Sequence, residues 1–450
     1  MSMDVKIRKG VNIKLKGTAE KLYADSVPCT DVVLKPTDFP GLRPKLSVKV
    51  GDKVKAGSTV FYDKDNDVVK FTSPISGEVV EINRGEKRKV LEIRIKSDGA
   101  NQFETFKQGD PGSMSREDVI SNLLNSGVWP FIRQRPFDVV ANPADTPKSI
   151  HVTALDTAPL APDYGFIVHG QGAVLQAGLD ALAKLTDGKV HLNINGNANA
   201  DEAFTSAKNV QINKISGPHP AGNVGIQVHH IDPVNKGEVV WVLNALDVLT
   251  IGRLFKEGQF DASRSIVVCG SKVNAPKYCK TVLGARVADL VKDGVEEGGR
   301  FISGNPLSGT QVAADGHLSF YDYQLTVLPE GGEDRFFGWL PYLGFNGFSL
   351  SRTAFSFMSP NKERDLDTNM NGEERAFVVT GEYEKVFPMD IYPVYLLKSM
   401  VTSDIDLMEK LGVYEVAPED FALCEYSCTS KIQTQKIVRE ALDLVKKETT

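Results

Sequence analysis

The chain has 450 residues, of which 41% are hydrophobic and 24% charged, and its net charge is −6. This length is enough for about three domains with apolar cores of their own, and the negative balance argues against nucleic acid as a partner. The chain has no run of about 18 apolar residues and no apolar signal core near its start, so we expect a cytoplasmic protein without a membrane span.

Cysteine usage argues against both a disulfide framework and an iron–sulfur cluster. The chain has five cysteines, an odd number, and no Cys-x-x-Cys motif. The closest pair, Cys424 and Cys428, offers two thiolates where a cluster needs four. We expect no cluster on this chain.

Alternating apolar residues between glycine turns cover residues 46–96. Leu46 and Val48 begin the pattern, and a Val-Gly-Asp-x-Val-x-x-Gly phrase starts at Val50. A Ser-Pro-x-x-Gly-x-Val phrase follows at Ser73. The pattern predicts a small all-β unit, and the two phrases resemble the biotinyl/lipoyl carrier fold, which is a barrel-sandwich hybrid.

Carriers of this fold hold their modified lysine in a hairpin tip several residues before the Ser-Pro phrase. In this chain Lys64 is close to that position, although Asn66 is nearer the expected register. A swinging arm and a purely structural module are both open interpretations. The structural module is favoured, because a fold alone does not determine function.

Gly-, Pro- and Ser-rich residues 108–115 predict a linker. Ser115 and Asp118 then form a capping box that opens a helix through Leu124, with a stop at Gly127.

Aromatic and arginine side chains alternate after this helix. The segment contains Trp129, Phe131, Arg133, Arg135 and Phe137. Such rings can stack on a flat ligand ring, and guanidinium groups can donate hydrogen bonds to its carbonyl oxygens. The same residues suit a domain seam in which the rings pack and the arginines keep their charged ends in water. The seam is the favoured interpretation.

From residue 150 the pattern is typical of an α/β domain. Residues 150–154 and 190–194 predict two strands. The helix predicted between them has one leucine face, which consists of Leu175, Leu179, Leu182 and Leu185. A helix between two short strands predicts a βαβ unit and a parallel sheet.

A dinucleotide-binding glycine motif is incomplete in this unit. Gly170 and Gly172 supply its first two glycines, but Leu175 stands at the third position. We therefore predict a Rossmann-like fold without bound NADH.

Glycines and prolines punctuate residues 216–234, which precede an apolar run at 239–243. This composition predicts a rigid, shaped loop, neither strand nor helix, followed by a buried strand. Such a loop is a common location for a site in α/β proteins, and a plain connection is the alternative. His229 and His230 would point to opposite faces of a strand, so we predict structural histidines and no metal.

The last third of the chain predicts an α+β unit followed by helices. Strands are expected at 265–270 and 317–328 and a helix at 281–291. The aromatic-rich residues 331–352 predict either an exposed patch facing partner subunits or the bilayer, or packing beneath the last helices.

The C-terminal helices have recognisable boundaries. Ser403 and Asp406 predict a cap for a helix that ends at Gly412, and Pro418 predicts the first turn of another. One apolar stripe marks the final helix, formed by Ile437, Ala441, Leu444 and Val445.

Several segments resemble the A subunit of the Na+-translocating NADH:quinone oxidoreductase family. The matching segments are 135–137, 146–148, 152–161, 216–234, 240–241, 251–255, 302–309 and 388–393. They occur in the order of the family and span most of the chain, so the resemblance is specific to this subunit.

The resemblance implies a multidomain α/β and α+β protein. Its expected parts are a barrel-sandwich hybrid at 1–107, a Rossmann-like α/β domain at 115–258, a β-grasp module of the SLBB type at 262–330, and a partly helical C-terminal region at 331–450.

The resemblance also implies a peripheral subunit on the cytoplasmic face of the bacterial inner membrane. The complex has six subunits, oxidises NADH, reduces quinone and exports Na+. The implied partners are the other five subunits, chiefly the membrane-embedded B subunit. FMN, FAD, riboflavin and iron–sulfur clusters are expected in those partners, and no cofactor is expected to bind tightly to this chain.

With quinone as the implied substrate, the aromatic–arginine segment and the shaped loop supply the candidate site. The candidate quinone-binding residues are Trp129, Phe131, Arg133, Arg135, Phe137, His219, Pro220, Gly222 and Asn223. No self-contained catalytic site is predicted. The alternatives are a soluble flavin- or NADH-binding oxidoreductase on a related fold and a lipoyl-like carrier modified at Lys64.

Overall fold

The structure is a computed structural model that describes residues 2–24, 27, 29–332, 347–350 and 355–449. Within these ranges no helix combines the length and the apolar character needed to cross a membrane. Most of the predicted aromatic patch lies outside the described residues, namely Phe336, Phe337, Trp339, Tyr342 and Phe345.

Short strands from the first 107 residues contribute to four sheets. These strands are β1 (Asp4–Lys6), β2 (Glu20–Tyr23), β3 (Asp31–Leu34), β4 (Pro44–Leu46), β5 (Lys53–Val54), β6 (Thr59–Asp63), β7 (Lys70–Thr72), β8 (Gly77–Arg84) and β9 (Val90–Ser97). Two of the sheets, ordered β3-β9-β8-β5 and β4-β6-β7, are antiparallel and form the barrel-sandwich unit. Val60, Phe61 and Ile93 are fully buried in it, so the predicted all-β unit is confirmed.

The middle of the chain forms the largest sheet. Its strands are β10 (Arg133–Arg135), β11 (Val139–Val140), β12 (Ser149–Ala154), β13 (Lys189–Asn195), β14 (Gln211–Ser216) and β15 (Val240–Asn244). Together with β1 they lie in the order β1-β14-β13-β12-β15-β10-β11. The predicted parallel pairing of β12 with β13 is confirmed, with Ile150 opposite Val190.

A mixed sheet follows in the next part of the chain. Its strands are β16 (Ser263–Cys269), β17 (Lys277–Val282), β18 (Gly299–Ser303), β19 (Thr310–Val312) and β20 (Gln324–Pro329). With β2 they lie in the order β19-β18-β20-β16-β17-β2.

The described α-helices surround these sheets and fill the C-terminal region. They are α1 (Arg116–Ser126), α2 (Tyr164–Val168), α3 (Gly172–Ala183), α4 (Glu202–Thr205), α5 (Val224–Ile231), α6 (Ala245–Glu257), α7 (Val287–Leu290), α8 (Tyr383–Val386), α9 (Pro393–Val401), α10 (Ile405–Lys410), α11 (Ala422–Ser427) and α12 (Thr434–Thr449). Short 3-10 helices include Trp129–Phe131 and Pro418–Phe421. Ser115 caps α1 and Gly127 ends it, as predicted.

Helices lie on both faces of the largest sheet. Helices α3 and α6 pack against each other and against its strands, whereas α5 contacts β12 from the other side. Every residue of β12 is buried, and β15 is buried up to Asn244. Continuous burial of this kind is what a parallel sheet covered on both faces requires.

The first 23 residues link separate units. Strand β1 pairs in parallel with β14 of the largest sheet, and β2 pairs in parallel with β17 of the mixed sheet. The domain boundaries at residues 107, 115, 258, 262 and 330 remain predictions. The strand pairing shows in addition that the start of the chain belongs to two sheets, and the other strands of both sheets follow it in the sequence.

The prediction that residues 216–234 contain neither strand nor helix is wrong. Strand β14 ends at Ser216, and α5 spans Val224–Ile231. Glycine and valine have weak helix propensity, but packing outweighs propensity for a helix with a buried face. Val224 and Val228, one turn apart, supply that face, and Ile226 packs into a separate hydrophobic cluster.

Three predicted elements in the last third also differ. Strand β17 and a turn at Gly284, whose φ is +71°, occupy most of the helix predicted at 281–291, so that only α7 is helical. The strand predicted at 317–328 is β20, which begins at Gln324. Asp404 caps α10 by accepting from Leu407 N at 3.0 Å, whereas Ser403, with φ 56°, lies in the turn after α9.

Candidate functional site

A cavity of about 320 Å³ lies at the carboxyl edge of the parallel strands. Across the sheet the order is β14-β13-β12-β15, so β13 and β14 lie on one side of β12 and β15 lies on the other. The direction in which successive strands are added therefore reverses at β12. Loops leave in opposite directions at such a switch point and open a crevice between them. Leu155 and Asp156 after β12 and Leu243 and Asn244 at the end of β15 line the cavity.

Two other parts of the chain close this crevice. The mixed-sheet unit contributes Asn305 after β18 and residues Tyr321 and Tyr323 before β20. The C-terminal region contributes Glu419 from its 3-10 helix and Gln435 from α12. The cavity is therefore built only when three separate regions are assembled.

Four of the nine predicted quinone-binding residues line the cavity, namely Arg133, His219, Gly222 and Asn223. The structure does not bring the other five to its wall, namely Trp129, Phe131, Arg135, Phe137 and Pro220.

The aromatic members of the segment are packing residues. Trp129 is fully buried, donates from Nε1 to Ala141 O at 2.8 Å, and meets the Trp241 ring edge-on at 5.4 Å. The Phe131 ring lies 4.7 Å from that of Phe320 in the mixed-sheet unit. These contacts agree with the seam interpretation of the segment.

Arg135 contradicts one part of that interpretation, which placed its charged end in water. Its side chain has no exposed surface, with Nη1 3.2 Å from Asp420 Oδ2 and Nη2 3.1 Å from Glu419 Oε1. Burial alone would lower the pKa of Arg135, but Asp420 and its other acidic neighbours raise it above its ordinary value. Two carboxylates distant in sequence can hold a buried guanidinium where water cannot.

Arg133 is the lining cation. Its Nη1 lies 3.2 Å from Asp138 Oδ1, and its guanidinium lies 5.0 Å from the centre of the Tyr321 ring. Burial opposes the charge, yet Asp138 and Glu419 raise the pKa of Arg133 above its ordinary value. Arg133 thus remains positive and is fixed in position between a carboxylate and a ring.

Tyr164 is a hydrogen-bond donor that the sequence analysis missed. Its hydroxyl oxygen accepts from Asn244 Nδ2 at 2.5 Å, which leaves its own proton available to a ligand. Burial and the nearby Asp156 raise the pKa of Tyr164 well above 10. Asn244 could have been found because it directly follows the buried strand predicted at 239–243, but no sequence signal marks Tyr164.

His219 and Gly222 also line the cavity. His219 Nδ1 lies 3.1 Å from the Thr157 hydroxyl oxygen, which accepts from Gly222 N at 2.8 Å. Burial lowers the pKa of His219 to about 4, so the imidazole is neutral at pH 7. A Cβ at Gly222 would lie 2.5 Å from Thr157 N, so no side chain fits there.

Asp156 and Asn223 also line the cavity. Burial raises the pKa of Asp156, although the Ala158 amide donates to it at 2.8 Å. Asn223 Nδ2 donates to Glu419 O at 3.0 Å and so joins the loop before α5 to the C-terminal region.

The incomplete glycine motif does not form a dinucleotide turn. Residues 155–171, including α2, separate the end of β12 from the start of α3 at Gly172. A pyrophosphate-binding turn requires the helix to begin directly after the strand, with its N-terminus at the ligand.

The histidines at 229 and 230 lie on a helix, so the expectation that they sit on opposite faces of a strand is wrong. His229 Nδ1 is 2.8 Å from Glu415 Oε2, and His230 Nδ1 is 2.8 Å from Ile226 O. Each ring therefore has a protein partner.

Lys64 follows β6 in the hairpin that leads to β7, and its side chain is exposed. Asn66 Nδ2 lies 3.4 Å from Asn142 Oδ1 of the α/β region. The carrier function of Lys64 stays a prediction.

Family models match most of the chain in three consecutive parts. Residues 5–98 match the NqrA N-terminal barrel-sandwich hybrid domain, residues 114–260 the NqrA second alpha/beta domain, and residues 265–314 the NQRA C-terminal domain.

Among solved structures, an air-oxidised NAD+-reducing [NiFe]-hydrogenase is similar over 75% of this chain and 61% of its own. Its sequence identity is 13% and its TM-score 0.35, which is too low to bear on this protein.

Curated relatives are similar over their full length. The A subunit of the Na(+)-translocating NADH-quinone reductase of Pasteurella multocida (strain Pm70) is 40% identical, with 99% of this chain and 100% of the relative covered. The proteins of the same name from Hahella chejuensis (strain KCTC 2396) and Neisseria meningitidis serogroup B are each 38% identical at the same coverage. These full-length matches show that the chain belongs to the family formed by the A subunit of the Na(+)-translocating NADH-quinone reductase.

Proposed function

We propose that this chain is the peripheral subunit of a sodium-pumping NADH:quinone reductase and that its switch-point cavity binds the quinone headgroup. In this proposal the chain docks on the cytoplasmic side of the bacterial inner membrane against the membrane-embedded B subunit. The other five subunits carry the flavins and iron–sulfur clusters. The observation that carries the quinone assignment is the set of neutral donors and one fixed cation around a single cavity.

The chemistry of quinone reduction suits this set. A quinone takes up two electrons and two protons, and negative charge develops on its carbonyl oxygens before the protons arrive. Tyr164 and neutral His219 can donate to those oxygens, and Arg133 can stabilise their developing charge. The electrons come from outside this chain, so its part is to bind and orient the ring.

The cavity also offers apolar surface for a ring. Leu155, Leu243 and Leu307 contribute to the lining, and Tyr321 is held by the Arg133 guanidinium. A largely preformed cleft with a few convergent polar groups is typical of small-ligand sites.

Direct binding tests the quinone assignment. Calorimetric titration of the full chain with a short-chain water-soluble quinone should give one site. Arg133→Gln should weaken that site several-fold, because it removes the only lining arginine among the described residues. Arg116→Gln is the matched control, since Arg116 contacts Thr146 and Asp187 at the surface. Equal affinities in the two variants, or no binding, would refute the assignment.

Co-purification tests the subunit role separately. The tagged chain is recovered from membranes in mild detergent, and the eluate is assayed for Na+-stimulated NADH:quinone reduction. Recovery with five partners and activity supports the role. A yellow chain recovered free of partners would instead favour the soluble flavin- or NADH-binding oxidoreductase.

A further inference from the structure

Two histidines and a carboxylate meet on the α5 side of the largest sheet. His151 of β12 and His191 of β13 are register partners, and their rings stack with centroids 4.4 Å apart and 18° between planes. Asp232 follows the end of α5. One potential ligand atom from each of the three lies within 4.8 Å of the other two.

The buried member of this cluster lacks partners. His151 has no exposed surface, and neither of its ring nitrogens has a hydrogen-bond partner among the described residues. A neutral imidazole has one donor and one acceptor nitrogen, and both are costly to leave unpaired in an interior. Metal ions bind the neutral imidazole through a ring nitrogen, so the two rings offer two ligand atoms beside the Asp232 carboxylate.

We propose that His151, His191 and Asp232 form a binding site for one divalent transition-metal ion, with Zn2+ as the best-matched probe. Two imidazoles and one carboxylate are a common zinc ligand set, and a water molecule would complete four-coordination. Zinc ligands at about 2.0–2.1 Å lie roughly 3.4 Å from one another. The ligand atoms of the three residues therefore move closer together when the ion binds. Rotation of the partly exposed Asp232 side chain and of the two rings allows this movement.

The neighbours of the cluster can accommodate the ion. Lys148 Nζ is 2.9 Å from Asp232 Oδ1, but it also bonds Glu238 Oε2 and Pro233 O at 2.8 Å each. Lys148 therefore keeps two partners if Asp232 turns to a metal. Ser149 Oγ donates to Asp232 Oδ2 at 2.6 Å and would orient the carboxylate from outside the coordination sphere.

Asn213 is a further polar neighbour of the cluster. Its Nδ2 lies 3.2 Å from His191 Nδ1 and donates to Asn193 Oδ1 at 2.9 Å. Asn213 thus retains a hydrogen bond when His191 changes tautomer or turns toward the ion. Bound metal would tie the end of α5 to β12 and β13, and residues at the start of α5 line the cavity described above.

The test is a Zn2+ titration of the full chain, purified without a histidine tag and stripped with EDTA. The wild-type chain should bind one equivalent, and Zn2+ should raise its melting temperature. His191→Gln should lower the affinity at least tenfold and abolish the thermal shift. His169→Gln is the matched control, because exposed His169 pairs with Asp201 away from the cluster.

Asp232→Asn is a second variant that separates the loss of a ligand from a folding defect in His191→Gln. It alters one partly exposed ligand and leaves both rings in place. This variant should also lose at least tenfold in Zn2+ affinity while its circular dichroism is unchanged. The proposal is wrong if the wild-type chain binds no Zn2+, if Asp232→Asn binds as tightly as wild type, or if His169→Gln loses the same equivalent.

Discussion

Arg135 and Asp420 form an ion pair in which neither side chain has exposed surface, with Nη1 3.2 Å from Oδ2. The pair joins β10 of the α/β region to the 3-10 helix of the C-terminal region. The Ala417 amide donates to the same Asp420 oxygen at 2.9 Å. Gly225 of α5 lies against the pair, since a Cβ there would be 2.7 Å from Asp420 Oδ2. One charge pair thus connects three elements that are distant in sequence.

Arg135→Ala should therefore destabilise the chain. It is not a selective quinone-site variant, although Arg135 is among the quinone-binding residues predicted from the sequence. It leaves Asp420 buried without its cation, and such losses cost about 3–5 kcal/mol. Urea unfolding measures the change in the free energy of unfolding. Lys236→Ala is the control, because Lys236 pairs with Glu409 at the surface, where a pair is worth about 0–1 kcal/mol.

The loss of stability in Arg135→Ala could come from the uncompensated charge of Asp420 or from lost packing around the guanidinium. The double variant Arg135→Met/Asp420→Leu separates these two explanations. If uncompensated charge is the cause, two apolar residues should recover much of the stability. A double variant no more stable than Arg135→Ala would show that packing around the guanidinium is responsible.

Gly252→Ala should destabilise the contact between α3 and α6. A Cβ at Gly252 would overlap the carbonyl oxygen of Val174 in α3, so the helices must separate. Overpacking of this kind costs about 1–3 kcal/mol, and calorimetric melting should show a lower transition temperature. Gly172→Ala is the matched helical control, because its Cβ would meet Ala203 at 3.6 Å, an ordinary contact.

Tyr164→Phe should weaken quinone binding by about 2–10-fold, the effect of losing one neutral hydrogen bond. The ring remains in place, so the shape of the cavity is preserved. The dissociation constant is measured by calorimetry on the full chain. Tyr395→Phe is the control, because Tyr395 is 57% exposed on α9. Equal affinity in both variants would remove Tyr164 from the binding site.

Asp247 should make stability fall as the pH rises from about 4 to 6. Burial raises the pKa of Asp247 to about 6, although Tyr323 donates to it at 2.5 Å. An unfolded Asp titrates near 3.9. Between these values the folded chain binds more protons than the unfolded chain, so the contribution of Asp247 is present at low pH and is lost as the pH passes through 6.

The Asp247→Asn variant isolates this effect from other titrating groups. Asparagine keeps the acceptor for Tyr323 but cannot ionise. From pH 4 to 7 the wild-type chain should lose on the order of 2 kcal/mol relative to the variant in urea unfolding. Parallel stability curves for the two proteins would contradict the buried titration of Asp247.

Local sequence signals determined the parts of the fold that depend on short-range patterns. Alternation between glycine turns is enough to predict the barrel-sandwich strands, and the cap at Ser115 with the stop at Gly127 defines α1. The β12–α3–β13 unit also follows from periodicity, because a helix with one leucine face lies between two short predicted strands.

Tertiary structure decided the elements whose stability comes from distant partners. Residues 216–234 look like a loop in the sequence because of their glycines and prolines, whereas α5 depends on contacts that only the folded chain supplies, such as that between Gly225 and Asp420. Tertiary structure also decided where a charged side chain could be buried. A lone arginine in a sequence is expected to be exposed, and only the arrival of Asp420 from the C-terminal region permits Arg135 to be buried.

The residues of the two sites also divide into those that the sequence could indicate and those that only the structure brought together. The sequence could indicate Arg133, His219, Gly222 and Asn223, since they lie in segments with unusual composition or family resemblance. Tyr164 carries no local signal, and the pairing of His151 with His191 depends on the register of two strands about 40 residues apart in the chain. Chemistry that arises from strand order and register becomes visible only when the sheet is assembled, because neighbouring side chains on one face are not neighbours in sequence.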